Sequence, residues 1–249
     1  VNGKYGRIDY NKTTAVAGVA GTWTDLGTAT GSIPANTYAG TSLTWVDTDD
    51  TWAEGAIYHG GDVSTATKHF LNASASVFAA AGAPWILMCV DQVGYVPITG
   101  ADVTGTSERT VSMTAIGSSA AKRDRHANGV GLRAYFSAEV APSTGGPNLT
   151  SFKYTDQAGN TAQNMTTAVG FAAAAGAVTG AIPHSGNAAT RYAPFLPLLP
   201  GDTGIKDIEN FTLSGGTAYT GSGQLVLHLV KPLWQIPIPA SGILTERDF

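Results

Sequence analysis

Strand-like runs bounded by Gly, Pro, Asn and Ser recur along the whole chain, and several of them alternate apolar with polar residues. In "TSLTWVD" (41–47), Leu43 alternates with Thr44 and Trp45 with polar neighbours, the pattern of a half-buried strand. "GVGLRAYFSAEV" (129–140) follows the turn-like "ANG" and reads as another strand. In "LTSFKYTDQAGN", Phe152 and Tyr154 share one face while Ser151, Lys153 and Thr155 share the other. "DQAGN" (156–160) then has the composition of a hairpin turn. "GQLVLHLVKPLWQIPI" is apolar on both faces as far as Pro232, which predicts a strand covered on both sides.

Helical spacing occurs twice. "STATKHFLNASASVFAAAG" (64–82) offers Ser64 or Thr65 as an N-cap and places Phe70, Leu71, Val77 and Phe78 at helix-compatible intervals. "TTAVGFAAAAGAVTG" (166–180) is Ala-rich but is interrupted by Gly170 and Gly176. Many short strands joined by Gly-rich turns predict a mainly β fold, a β-sandwich or jelly roll with one or two short helices. No linker or internal repeat divides the chain, so residues 1–249 are expected to form a single β-rich domain. Residues 1–40 are expected as an N-terminal arm and 231–249 as a C-terminal arm.

Composition narrows the function classes. Charged residues are only 13% of the chain, and 31 glycines with abundant Ala, Ser and Thr take their place. Little charge keeps copies apart, which favours packing against other proteins. A net charge of −4 and a pI near 5.7 argue against nucleic acid or an anionic membrane as partner. The lone Cys89 excludes an internal disulfide and lies in an apolar run, where a free cysteine behaves as a core residue. The longest apolar stretch, about 79–90, is too short for a helical membrane span. "VNGKYGRIDY" has no charged segment leading into an apolar one, so synthesis in the cytoplasm without a signal peptide is expected.

The search for chemistry yields no catalytic residue, no metal site and no cofactor. His59, Asp62 and His69 form the most suggestive group, yet a third ligand at a familiar zinc spacing is missing, and turn and helix histidines are the simpler reading. His228 lies in the both-faces-apolar strand and reads as a hydrogen-bonded core residue. Asp47, Asp49, Asp50 and Glu54 lack the register of a calcium loop and read as a solvated acidic loop. "HSGN" (184–187) sets His beside Ser, but adjacency in sequence positions no base. "KRDRH" (122–126) is short and broken by Asp124, as befits a loop or an ion-pair contact. No nucleophile elbow, P-loop or dinucleotide fingerprint occurs.

Two segments stand apart. In "RYAPFLPLLP" (191–200), Pro194, Pro197 and Pro200 forbid a helix and remove ladder donors, yet Phe195, Leu196, Leu198 and Leu199 are apolar enough for a core. "KPLWQIPIPASGILTERDF" repeats the theme, with Leu233, Trp234, Ile236 and Ile238 among Pro232, Pro237 and Pro239. Such strips either edge the chain's own core or lie in a groove of a neighbouring molecule, where the preset φ lowers the ordering cost. On the second reading the interface residues are Phe195, Leu196, Leu198, Leu199, Trp234, Ile236, Ile238 and Phe249.

Long stretches also carry a family resemblance. "AIYHGGDVSTATKHFLNAS", "PWILMCVDQVGYVPITGADVTGT", "NGVGLRAYFSAEVAPSTGGPNLTSFKYTDQAGNTAQ", "IPHSGNAATRYAPFLPLLPGDTGIKDIENFTLSGGTAYTGSGQLVLHLVKPLWQIPI" and "ILTERDF" together resemble head-associated, decoration-like virion structural proteins of tailed bacteriophages. The similarity runs from about Tyr58 onward and lies in the order of segments. It implies a non-enzymatic capsid decoration or cement protein of the phage head that binds the outer shell and braces it. The implied partners are further copies of itself, as a homo-oligomer on a symmetric lattice, and the major capsid protein. Alternatives are another particle component (major shell, neck or tail), or a carbohydrate-binding β-sandwich that stacks sugars on Trp23, Trp45 and Trp52. A glycan hydrolase built on Asp47, Asp49 and Asp50 ranks behind these.

Overall fold

The computed structural model describes residues 12–13, 21–27, 30–31, 38, 44–45, 72–77, 84–98, 108–110, 126–140, 147–171, 179–186, 194–216 and 224–248. Their strands are β1 (Lys12–Thr13), β2 (Thr30–Gly31), β3 (Thr44–Trp45), β4 (Asn72–Ala75), β5 (Trp85–Ile98), β6 (Glu108–Thr110) and β7 (Arg133–Val140). They continue with β8 (Pro147–Asp156), β9 (Gln163–Asn164), β10 (Val169–Gly170), β11 (Ile205–Gly216), β12 (Gln224–Ile238) and β13 (Thr245–Asp248). The fold is mainly β, as its residue pattern predicts. Helical structure among the described residues is one 3-10 turn, Pro183–Gly186, and none of it is long and apolar enough to cross a membrane.

Two antiparallel sheets face each other. One has the order β3-β5-β12-β7, and the other runs β10-β8-β11-β6 with β9 paired onto β8. Between them lie Val93, Val96 and Ile98 of β5, Ala134, Phe136 and Ala138 of β7, and Leu225, Leu227 and Leu229 of β12. From the other sheet come Leu149, Phe152 and Tyr154 of β8 and Ile205, Ile208, Phe211 and Leu213 of β11. Phe136 meets Phe211 edge to face across the interior, with ring centroids 5.4 Å apart. The inward residues of β11 are spaced three, three and two apart. Bulges between Ile205 and Asp207 and between Ile208 and Asn210 re-aim the strand, so a strict period of two does not hold there.

β12 is central because it is covered on both faces. Leu225, Leu227 and Leu229 point into the sandwich, while Val226, His228 and Val230 occupy the opposite face. That outer face is roofed by Tyr38 over Val226, and by Trp23 and Ile182 near Val230. β7 obeys the same alternation, with Tyr135, Ser137 and Glu139 on the outer face, all buried. The segment 21–27 is held over this face by backbone hydrogen bonds from Asp25 to Gly180 and from Ile182 to Trp23.

The hairpin turn expected at 156–160 is present. Oδ1 of Asp156 accepts the amides of Ala158 and Asn160, Gly159 adopts a φ of +89°, and β8 returns into β9. A glycine is required where two turns touch. A side chain at Gly204 would place its Cβ 2.0 Å from the carbonyl oxygen of Gly129, and Val130 bridges to Gly204 at the same place.

Both helical expectations need correction where the structure describes them. Within 64–82, Asn72–Ala75 is strand β4, paired with β13; within 166–180, Val169–Gly170 is strand β10, paired with Leu149 and Asn148. Pairing with strands distant in sequence outweighs the modest helix preference of Ala-rich stretches. The C-terminal segment is likewise not a free arm. β12 continues through Ile238 along β5, and Thr245–Asp248 forms β13 against β4. The expected N-terminal arm, 1–40, falls largely outside the described residues; within it, β1 pairs with β2, and 21–27 and Tyr38 pack on the β12 sheet.

Candidate functional site

The proline strip at 194–200 is a strap seated on its own molecule. Leu196 donates its amide to Ala134 in one sheet, and Leu199 donates to the hydroxyl of Tyr154 in the other. His184 Nε2 donates to the carbonyl of Pro194 (2.8 Å), and Tyr154 donates onward to Asp202 (2.6 Å). Three prolines remove donors that this irregular segment would otherwise have to satisfy, and amides at 196 and 199 find specific acceptors. Leu196 is buried in the core, Leu198 packs against it, and Phe195 leans on Tyr135 with centroids 6.4 Å apart.

The residues expected at an interface therefore divide. Leu196, Ile236 and Ile238 are buried within the chain and do not present anchors to a neighbour, a correction that follows from the strap and from strand pairing. Phe195, Leu198, Leu199 and Trp234 are half-buried, and Phe249 lies outside the described residues. The sequence pattern overlooked the truly exposed apolar side chains. Ile86, Leu233, Ile243 and Leu244 are 50%, 56%, 48% and 65% exposed, against one further large apolar case among the described residues, Val130. All four belong to one stretch of structure: the start of β5, the far half of β12 beside it, and the connection from β12 to β13. In that far half β12 has run past the end of β7 and pairs only with β5 among the described strands. Pro232 and Pro237 lie in this stretch, where a missing N–H discourages uncontrolled strand addition, and Arg247 of β13 donates to the Gln235 carbonyl beside them.

A second feature lies on the outer face of the β12 sheet. His228 is fully buried, stacked on Tyr135 (centroids 4.5 Å) and met edge-on by Tyr38 (5.1 Å). Its Nε2 lies 2.6 Å from Ser137 Oγ, 3.4 Å from Asp25 Oδ2 and 3.9 Å from Glu139 Oε1. Ser137 donates its hydroxyl proton to Glu139, so the same oxygen accepts from His228 Nε2–H. That leaves Nδ1 as an acceptor, facing the Gln92 amide at 3.4 Å. Burial holds His228 down to about 4, the Asp25 charge opposing it, so the ring is neutral. Burial first, then Asp25, pushes the phenols of Tyr38 and Tyr135 well up; both remain protonated. Tyr38 donates to Asp25 Oδ2, and a Cβ at Gly27 would strike that hydroxyl at 2.1 Å.

Ser, His and an acid meet here, but not as an activated nucleophile. In that arrangement the acid orients the imidazole through its other nitrogen. Here Glu139 holds the serine, Gln92 faces the second nitrogen, and Ser137 is fully buried. The second histidine–serine pair is also structural. His184 is committed to Pro194, while Ser185 donates to Ile182 and accepts the amide of Trp23.

Family models, curated proteins and solved structures offer no match to this chain.

Of the remaining sequence candidates, His59, Asp62, His69, Asp47, Asp49, Asp50, Glu54 and Trp52 lie outside the described residues, as does the side chain of Trp45. Trp23 packs against the Tyr135–Ile182–Val230 cluster, which takes its ring away from duty as an open sugar platform. His126 Nε2 lies within hydrogen-bond distance of Asp91 Oδ2, at 2.7 Å, and the rest of "KRDRH" lies outside the described residues. Burial, with the Asp91 charge, pushes the Cys89 thiol up to about 11, which keeps it unreactive. His228 is the core residue its strand suggested. Its partners Asp25 and Glu139 had no signal beyond being acidic residues in otherwise uncharged stretches.

Proposed function

We propose that this chain is a non-enzymatic structural protein of a bacteriophage virion, a decoration protein that docks on the outer surface of the head shell. The observation that carries this reading is the exposure of Ile86 at the start of β5, Leu233 in the far half of β12, and Ile243 and Leu244 in the connection to β13. The family resemblance supplies the setting, and the low charge removes a barrier to close packing of copies. A two-sheet body with exposed apolar side chains near its C-terminal end suits a part repeated on a lattice, where contacts of ~2,000 Å² or more are usual for stable assembly. Each apolar side chain covered by a neighbour contributes roughly 1.5–3 kcal/mol, so a few per copy suffice.

The test uses substitutions that spare the core. A Leu233→Ser, Ile243→Ser, Leu244→Ser variant is expected to fold with an unchanged circular dichroism spectrum and to be missing from purified particles. Loading at the normal copy number would defeat the proposal. Quantitative mass spectrometry of wild-type particles separates the particle roles: hundreds of copies fit decoration, and about a dozen would mean neck or tail.

A further inference from the structure

We propose that Asp25, Glu139 and His228 form a binding site for one divalent first-row metal ion, best matched by zinc, which staples the N-terminal segment onto the β12 sheet. Oδ2 of Asp25, Oε1 of Glu139 and Nε2 of His228 all lie within 4.8 Å of one another. Zinc binds such donors at about 2.0–2.2 Å, which sets tetrahedral ligand atoms about 3.4 Å apart. His228 Nε2 lies 3.4 Å from Asp25 Oδ2 and 3.9 Å from Glu139 Oε1, and with every pair inside 4.8 Å the two carboxylates draw together as an ion is taken up. The donor set of one imidazole nitrogen and two carboxylate oxygens suits zinc and its neighbours. It does not suit calcium, which takes six to eight oxygens.

Electrostatics favours an ion as well. Two carboxylates converge where the histidine is fully buried, and the side chains of Asp25 and Glu139 are only 12% and 4% exposed. Charges of one sign removed from water at short range are costly unless a cation balances them. The surrounding groups are those that orient metal ligands. Tyr38 donates to Asp25 Oδ2, the Gly27 amide donates to Oδ1, and the Tyr135 ring stacks on the imidazole; Ser137 Oγ, 2.6 Å from Nε2, turns off that nitrogen when the ion binds. With an ion on Nε2 the imidazole proton moves to Nδ1. Gln92 serves that tautomer equally, because turning its amide over presents an oxygen in place of the NH₂. The ligands come from the covering segment, β7 and β12, so the ion's role is to fasten a roof to a sheet. This inference is independent of the virion reading.

The test uses the full chain, stripped with chelator and then dialysed against zinc. One equivalent of bound zinc by elemental analysis is expected, with a melting temperature that rises with zinc concentration by mass action. The Asp25→Asn, Glu139→Gln double variant is expected to lose both the zinc and the rise. Wild type without stoichiometric zinc overturns the proposal, and so does a variant that retains it. Should the variant fail to fold, cobalt titration of wild type decides: an intense tetrahedral visible spectrum supports the site, and its absence overturns it.

Discussion

His184 shows how a single buried group sets a condition on the whole fold. Burial holds its imidazole down to about 4, against 6.5 ordinarily, with the hydrogen bond to Pro194 pulling weakly the other way. Above pH 6.5 the ring is neutral whether the chain is folded or not, and the stability is fully present. As the pH falls from 6.5 toward 4, the unfolded chain takes up a proton that the folded chain refuses, so stability declines by up to about 3 kcal/mol. Urea midpoints at pH 7, 5.5 and 4 should fall in that order, and His184→Asn should remove about half of the slope, because His228, also held down to about 4 by burial, keeps its share. Leucines make the same point about burial. Leu196→Ala should cost about 2–5 kcal/mol, because it empties a core position. Leu233→Ala, the same chemical deletion at a 56% exposed site, should change the free energy of unfolding by no more than about 0.5 kcal/mol. At Gly204 the constraint is contact instead of charge: Gly204→Ala must displace the Gly129 carbonyl, an overpacking expected to cost about 1–3 kcal/mol.

Among the elements, the strap and β12 illustrate how proline-rich apolar sequence is used in two ways. The strap is anchored by side chains and isolated amides instead of a ladder, and Tyr154 is its hub, accepting from Leu199 while donating to Asp202. Tyr154→Phe leaves the Leu199 amide without this acceptor, and a loss of about 1–3 kcal/mol is expected by denaturant titration. β12 changes character along its length. Up to Val230 it is flanked by β5 and β7 and buried on both faces; from Lys231 it pairs with β5 alone among the described strands and its burial alternates, with Ile236 and Ile238 inward and Leu233, Gln235 and Pro237 outward. Pro232 marks this change in the sequence. What the pattern left open was whether the continuing strip was paired, since prolines are compatible with an edge strand and with an unpaired arm alike.

For the whole molecule, the sandwich is closed on its inner faces by the Phe136–Phe211 contact and its neighbours, and one outer face is covered as well. The second cover concentrates exposed apolar area at the far end of β12 instead of spreading it over the sheet. On the proposed docking, making Leu233, Ile243 and Leu244 polar should abolish attachment to the particle while the sandwich itself stays intact.

The sequence alone determined the β class, the hairpin at Asp156, the inward pairing of Phe152 with Tyr154 and the double burial of β12. Each rests on local alternation or turn chemistry, which a short window contains. Tertiary structure alone decided that Asn72–Ala75 is a strand, that the strap closes on its own core, and that Asp25, Glu139 and His228 meet. The physical reason is the same in each case: alternation says which residues share a face, but not which distant segment will cover it. Ser137 and His228 stand 91 positions apart, and only the pairing of β7 with β12 brings them within a hydrogen bond.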